Sequence, residues 1–449
     1  METATEKEGA TGTSRNGVEK TSIVGGGIVG LVLALTLHKI GVTVSVYERE
    51  PAFHDDVGAG QGMYSNGLRV IRDISPELLE RIRKAGFPYV YRRWERHDGT
   101  VVAVANENVL SNNDDEIQSI GIRRWRLLKL LYESVIEAGI PVHFHKKLKH
   151  VEQRDDLVHV EFEDGSLLKT EILFAADGSK STVRSIVNPA SSLEYTGVTC
   201  VMGMAESKPE DRGILFPSSI PTISCRHGCF FPTSEGEQCF QMHYSVKESD
   251  SDKGNWGTLS QKVGVAECLK LSEQMKEEGW ADKYISPLRQ VTHAVRIGFC
   301  SLQPPLQKWV YGRIVLLGDA AHPPVPYTGQ GSQQGLEDAG TIAMLIEELC
   351  LDTNGEFSLE NFYETMKLYE RIRIPRTIEI NAIAKSWGEL QWKRANGELY
   401  QHSKEEKIKR DVFFHETLSV LIPGSTYNYR EAVTAFLKKE PIHLPAVQE

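Results

Sequence analysis

Two aspartates in this chain follow apolar runs that read as buried strands. Residues 172–184 are ILFAADGSKSTVR, and residues 313–331 are RIVLLGDAAHPPVPYTGQG. The first run ends in Asp177-Gly178 and the second in Gly318-Asp319. A carboxylate at the carboxyl end of a buried strand is tolerated only when hydroxyls or amides satisfy it. The plain alternative for Asp177 is an Asx-capped turn. A third motif, VGGGIVG, sets Gly25, Gly27 and Gly30 in G-x-G-x-x-G spacing between an apolar run and a helical pattern. Glycines there let backbone approach a pyrophosphate, and the helix N-terminus favours its charge. Glu48 closes the next apolar run, where it can accept from ribose hydroxyls and would repel a 2′-phosphate. This fingerprint leaves FAD and NAD both open. GAGQG (58–62) and GQGSQQG (329–335) mimic it without a good preceding strand, and neither reads as a second dinucleotide site.

The elements that must position these residues follow from periodicity. Ile28, Leu31, Val32 and Leu35 recur at helical spacing until Gly41, and Val42–Tyr47 reads as a second strand, giving a βαβ unit. Residues 58–72 read as a glycine loop leading into a helix, and Arg124–Ala138 as a leucine-rich helix. Strands are expected at 101–104, 142–144, 148–153, 158–162 and 172–175, with Asp164-Gly165 as a hairpin turn. From about 190 to 300 the pattern is β-like with one helix near 258–277; strand and helix resume at 313–350, and the remainder is mostly helical. The expected division is a disordered tail at 1–20, an α/β domain assembled from 21–85, 120–187 and 302–385, a β-rich domain from 86–119 and 188–301, and a helical extension at 386–449.

Composition sets the outer limits. A chain of 449 residues is too long for one ordinary core. Its 40% hydrophobic and 25% charged content is that of a globular protein, and a net charge of −10 argues against nucleic-acid or anionic-membrane partners. Seven scattered cysteines, with no apolar leader before them, read as reduced thiols of a cytoplasmic protein. The most apolar stretch, Ile23–Leu37, is too short to span a bilayer. Cys225, His227 and Cys229 lack a fourth ligand at suitable spacing, so no metal site is expected.

Taken together, GGGIVG…YERE, ADGSKSTVR and LLGDAAHPPVPYTGQG resemble the FAD-dependent aromatic hydroxylases, the single-component flavoprotein monooxygenases, over residues 21–385. Tailoring enzymes of secondary metabolism look most similar. The resemblance implies a Rossmann-like FAD-binding domain interleaved with a β-sheet-rich substrate domain. It implies non-covalent FAD, NAD(P)H as co-substrate, O2 activated at the flavin, and one oxygen atom transferred to a small-molecule substrate, by a monomer or homodimer. Carried over by motif, Gly25, Gly27, Gly30 and Glu48 would hold the ADP half of FAD. Gly60 would pass beside the flavin, and Arg124, rather than Arg123, would reach phosphate or ribitol oxygens. Asp177-Gly178 would serve both FAD and NAD(P)H. Asp319 would bond the ribitol chain, Pro326 would wall the flavin ring, and the amides near Gly329, Gly331 and Ser332 would stabilise the reduced flavin's charge. Many similar enzymes carry an arginine soon after a Y-x-G strand. Here YTGVTCVMGMA has Val201 and Met202 instead, which favours a less polar substrate. The polar candidates near the reaction are His322, more often a structural loop residue, and Arg226, His227, His243 and Tyr244 on β-like runs. A flavin oxidase or dehydrogenase, or a non-catalytic flavin-binding protein, are the competing readings.

Overall fold

The computed structural model describes residues 17–53, 58–107, 117–206, 213–218, 226–245, 261–291, 293–395 and 426–439. The strand Glu19–Val24 lies at the centre of an eight-stranded sheet. Its parallel neighbours are Leu167–Ala175 on one side and Ser45–Tyr47 on the other. Ile314–Leu316 and Val142–His143 extend the parallel set outward. Ile23, Val46, Leu173, Phe174 and Val315 are fully buried, the near-continuous apolar pattern of a sheet covered on both faces. The antiparallel pair Leu148–Arg154 and Leu157–Phe162 folds onto Leu167–Ala175. Helix Ile28–Lys39 makes the first crossover, and Gly331–Leu349 packs against it.

A second sheet of seven strands runs in the order Ala294–Leu302, Leu193–Glu206, Glu237–Ser245, Arg226–Ser234, Gly213–Ser218, Tyr91–Arg96, Val101–Asn106. Side chains alternate between its faces, as strand geometry requires. Val201, Leu215, Phe230, Phe240 and Met242 pack on helices Gln261–Glu277 and Asp282–Gln290. The opposite face carries Met202, Phe216, Phe231 and His243 and looks toward the first sheet.

Four expectations are corrected. Glu19 and Lys20 already belong to the first strand, while residues 1–16 of the expected tail lie outside the described residues. The glycine loop at 58–72 contains a strand, Gly60–Met63, paired antiparallel with Ile120–Arg123. Glycine makes this possible, because a Cβ on Gly60 would come within 2.6 Å of both Cys239 and Thr233 of the second sheet. A second helix, Asp282–Gln290, follows the one expected at 258–277. Its Pro287 reads as a breaker, but burial of Tyr284, Ile285 and Leu288 outweighs the proline. The helix Phe362–Ala395 crosses the expected border at 385 without interruption.

Candidate active site

Four of the sequence motifs end adjacent parallel strands. Across the sheet the order is Ile314–Leu316, Leu167–Ala175, Glu19–Val24, Ser45–Tyr47, so Asp319, Asp177-Gly178, Gly25–Gly27 and Glu48 form a row along one edge. With strands about 4.8 Å apart, three intervals span roughly 14 Å, a track for an elongated ligand at the carboxyl ends of the strands. The three fingerprint glycines have separate reasons to lack a side chain. Gly25 has φ +104° and a Cβ there would collide with the Ala176 carbonyl; one on Gly30 would collide with the Gly25 carbonyl. A Cβ on Gly27 would meet nothing within 4 Å, so that backbone is bare toward the track. Gly27 also caps helix Ile28–Lys39, with no side chain bonded to the first amides and no acid in the first turn. Those amides are free to receive an anion. Glu48 is oriented by two backbone donors: Gly26 N–H to Oε2 at 2.6 Å and Glu50 N–H to Oε1 at 2.9 Å.

Unpaired polar groups line the same track. Asp177 accepts from Val183 N–H through Oδ2, while its buried Oδ1 has no partner. Burial pushes its carboxyl above the ordinary range. Asp319 is also pushed up by burial, opposed by His322, Arg124 and Arg184. Its carboxylate has no hydrogen bond among the described residues and borders a cavity of about 420 Å³. Arg124 opens helix Arg124–Glu137 and lines that cavity. Its guanidinium, open to solvent yet ringed by protein mass, is lowered by desolvation and held up by Asp319 and Glu48. It too has no side-chain hydrogen bond among the described residues. The neighbouring Arg123 is instead paired with Glu237 of the second sheet at 2.5 Å.

These groups fit FAD. A bare glycine turn, an uncapped helix start, a carboxylate and a guanidinium without protein partners are what a pyrophosphate and a polyhydroxyl chain would satisfy. Arg184, named in the sequence without a role, ties the row together. Its Nη1 donates to the Ala320 carbonyl at 2.9 Å and its Nη2 to the Ser179 carbonyl at 2.5 Å, joining the two aspartate turns.

Behind the Asp319 loop is a buried charge network. Asp338 Oδ2 accepts from Gly318 N–H at 2.8 Å and pairs with His322 Nε2 at 2.6 Å. Arg373 Nε donates to Asp338 Oδ1 at 2.8 Å and Nη1 to Glu337 Oε2 at 2.5 Å. Asn66 donates to Glu337 Oε1 at 2.7 Å. Burial raises the Asp338 carboxyl, and His322 and Arg373 more than reverse this, leaving it below the usual range. His322, tilted against Trp309 at 4.8 Å, lies among the residues behind the loop and not among those lining the cavity. Its ring anchors Asp338 there, the structural place that a loop histidine most often takes. Gly329 (φ +67°), Gly331 and Ser332 do line the cavity, with Gly331 opening helix Gly331–Leu349. Pro326 begins a short 3-10 turn, Pro326–Thr328, and its side chain lies outside the described residues.

The remaining wall comes from the second sheet. Met202, Ile214, Phe216, Phe231 and Phe299 supply apolar surface, with Gln241 and His243 among them. His243 is buried against Phe299 and Tyr327, and burial pushes its imidazole down to about 4. The side chains of Arg226, His227 and Tyr244, and all of Cys225, lie outside the described residues. Burial pushes the Cys229 thiol, on the same wall, up to about 12. Sequence reasoning missed Tyr64, Arg92 and Glu107. Arg92 lines the cavity, donates to Glu107 through Nε at 2.8 Å and Nη2 at 2.9 Å, and lies 4.9 Å over the Tyr64 ring. YRRWER reads as an edge of surface arginines; nothing local marks one of them as inward.

The strand-end row faces an apolar cavity walled by the second sheet. The profile of the FAD binding domain family matches residues 19–365, and the chain belongs to that family. It is 27% identical over 393 residues to 6-hydroxynicotinate 3-monooxygenase of Bordetella bronchiseptica, covering 85% of this chain and 93% of that protein. It is 27% identical to a salicylate hydroxylase of Pseudomonas putida, covering 83% and 86%. Among solved structures, Klebsiella pneumoniae HpxO complexed with FAD and uric acid superposes with TM-score 0.73 at 20% identity, covering 90% of this chain and 97% of that one. A salicylate hydroxylase substrate complex superposes with TM-score 0.71 at 20% identity, covering 95% and 99%. The protein is an FAD-dependent monooxygenase that uses NAD(P)H. Among the described residues no helix is long and apolar enough to cross a membrane.

Proposed function

We propose that this monooxygenase hydroxylates or epoxidises an uncharged, ring-rich small metabolite held between the Asp319 loop and the second sheet. The observation that carries the proposal is the sheet face itself: aromatic and thioether side chains around two neutral polar ones, Gln241 and His243. With its pKa near 4, His243 carries no charge at neutral pH. Met202, in the strand Leu193–Glu206, adds apolar surface to the same wall. The division of labour is part of the reading: segments 21–85, 120–187 and 302–385 hold FAD, and 86–119 with 188–301 cover the substrate. Gly25, Gly27, Gly30 and Glu48 would hold the ADP half, non-covalently. Asp177, Gly178, Arg124 and Asp319 would take pyrophosphate and ribitol, while Gly60, Pro326, Gly329, Gly331 and Ser332 would border the ring. We read it as a cytoplasmic monomer or homodimer, in keeping with the six described free cysteines.

FAD, reduced by NAD(P)H, supplies the O2 chemistry. The chain's own residues orient and enclose it. Arg124 and Asp319 fix the cofactor by opposite charges, Arg184 and Asp338 hold the loop that carries Asp319, and the aromatic wall excludes water from the substrate face. The uncapped start of helix Gly331–Leu349 places amide donors on the cavity. The test is turnover with isotopically labelled O2 across a panel of neutral and anionic ring compounds. NAD(P)H oxidation should be slow alone and accelerate with a neutral compound, with label in a new hydroxyl or epoxide. Label in the ring of a lactone, or peroxide as the sole oxygen product with every compound, would contradict the reading.

A further inference from the structure

Arg92 and Glu107 are a charged pair on the substrate side of the cavity. Arg92 is 2% exposed and Glu107 is fully buried. They sit on opposite strands of the hairpin formed by Tyr91–Arg96 and Val101–Asn106, with Glu107 one residue past the second strand. Both carboxylate oxygens are taken by the one guanidinium, through Nε and Nη2. The guanidinium also lies over the face of Tyr64, a residue that lines the cavity beside Gly62 and Gly329. Arg92 thereby gives its Nε–Nη2 edge to Glu107 and one face to Tyr64.

A buried ion pair is a poor device for stability. Two well-packed apolar residues of the same volume usually do as well or better. A strut between two strands needs no guanidinium on a cavity wall. What the pair does there is electrostatic: it keeps a cation's shape and planar surface while cancelling its charge. A lone buried arginine in the same place would make a receptor for carboxylates, because its fork matches their geometry. Several relatives bear names of aromatic carboxylate substrates, among them salicylate and 6-hydroxynicotinate.

We propose that Glu107 is a built-in counter-carboxylate that sets substrate charge: it occupies Arg92, so that the cavity accepts neutral ring compounds and rejects their carboxylates. This rests on the monooxygenase reading and narrows it. The second charged group on the cavity wall that could attract an anion, Arg124, belongs to the cofactor side with Asp319 and Glu48. Removing Glu107 should therefore convert the substrate half into an anion site, without touching the strand-end row that holds FAD.

The probes are salicylamide and salicylate, which share a ring and differ in charge, titrated into the FAD-loaded protein by calorimetry and flavin absorbance. Equilibrium binding is read apart from turnover, so this can fail while labelled-oxygen incorporation still succeeds, and the reverse. The wild type should prefer the amide, and Glu107→Gln should gain at least about tenfold in salicylate affinity and invert the preference. Arg92→Met/Glu107→Leu, which removes both charges and leaves no unpaired buried ion, keeps the preference for the amide and stays informative if Glu107→Gln does not fold. The proposal is overturned if wild-type protein binds salicylate as tightly as salicylamide. It is overturned equally if flavin-loaded Glu107→Gln shows no gain, if the double variant gains salicylate, or if neither probe binds any of these proteins.

Discussion

On the cofactor side of the cavity, the Asp319 carboxylate, the Arg124 guanidinium and the Oδ1 atom of Asp177 have no hydrogen-bond partner among the described residues. On the substrate side, Arg92 and Glu107 satisfy each other through two bonds under 3 Å. The contrast follows from what each half must receive. A cofactor that is always the same can complete a set of open charges, so strand ends may carry carboxylates that would otherwise be costly. A substrate pocket that must reject charged look-alikes has to close its own charges internally. The loops of the cofactor half are also braced from behind, by Arg184 and the Arg373 network.

The sharpest way to break this contrast is to remove the brace. Arg373→Met removes the cation shared by the buried Glu337 and Asp338, leaving only Arg376 near the first and His322 beside the second. Such a loss costs about 3–5 kcal/mol. Urea unfolding of the FAD-free protein should show it, and flavin content should fall with it. Arg373→Lys should recover part of both. Unchanged stability in Arg373→Met would mean that the network is not what holds the Asp319 loop.

Next in size is Asp319→Ala, which leaves the brace intact and removes one open charge. Charge-assisted bonds to a cofactor are worth roughly 1.5–3 kcal/mol, or about one to two decades in FAD affinity. Fluorescence titration of the apoprotein with FAD measures it, and Glu48→Ala should weaken FAD similarly. Full flavin retention in Asp319→Ala would show that the row of strand ends is not the cofactor track.

The substrate half has its own signature in acid. The His243 imidazole is lowered from 6.5 to about 4 by burial. The unfolded chain therefore takes up a proton below about pH 6.5 that the folded chain refuses, and stability falls as pH drops through that window. From pH 7 to pH 5 the loss attributable to this one residue is about 2 kcal/mol. His243→Phe should flatten the acid side of the curve by that amount while flavin binding is kept. Equal pH dependence in variant and wild type would mean that His243 takes up its proton alike in the folded and unfolded chain, and that burial does not lower it.

The two halves also differed in how far the sequence disclosed them. The fold class, the parallel strands and the glycine and aspartate turns at their ends were readable because their constraints are local. Gly25 needs a positive φ, and Asp319 ends an apolar run. What was not readable depends on pairs distant in the chain. Arg373 meets Asp338 from another helix, and Arg92 finds Glu107 across a hairpin. His322 stood in the sequence between a structural loop residue and a base; its packing on Trp309 and its bond to Asp338 put the ring behind the loop. Gly60 lines the cavity and has a packing reason the sequence did not show, since Cys239 and Thr233 of the second sheet fill the space of its missing side chain.

Tyr64 lies at the seam between the halves and should give the smallest effect. It directly precedes helix Ser65–Ile74, and Arg92 lies over its ring. Its hydroxyl would stand 3.0 Å from a Cβ on Gly62 and 2.8 Å from one on Gly329, so two glycines make its room. Burial pushes its pKa up to about 12, with Arg92 opposing, so it stays protonated and able to donate at neutral pH. No protein acceptor is found for it among the described residues, and it lines the cavity. A neutral hydrogen bond to bound substrate is worth about 0.5–1.5 kcal/mol, so Tyr64→Phe should raise KM roughly two- to tenfold. Flavin content should be unchanged, because the ring and its contact with Arg92 remain. A loss of FAD instead would move Tyr64 to the cofactor half. An unaltered KM would place its hydroxyl in neither half's recognition and leave the ring's packing under Arg92 as its role.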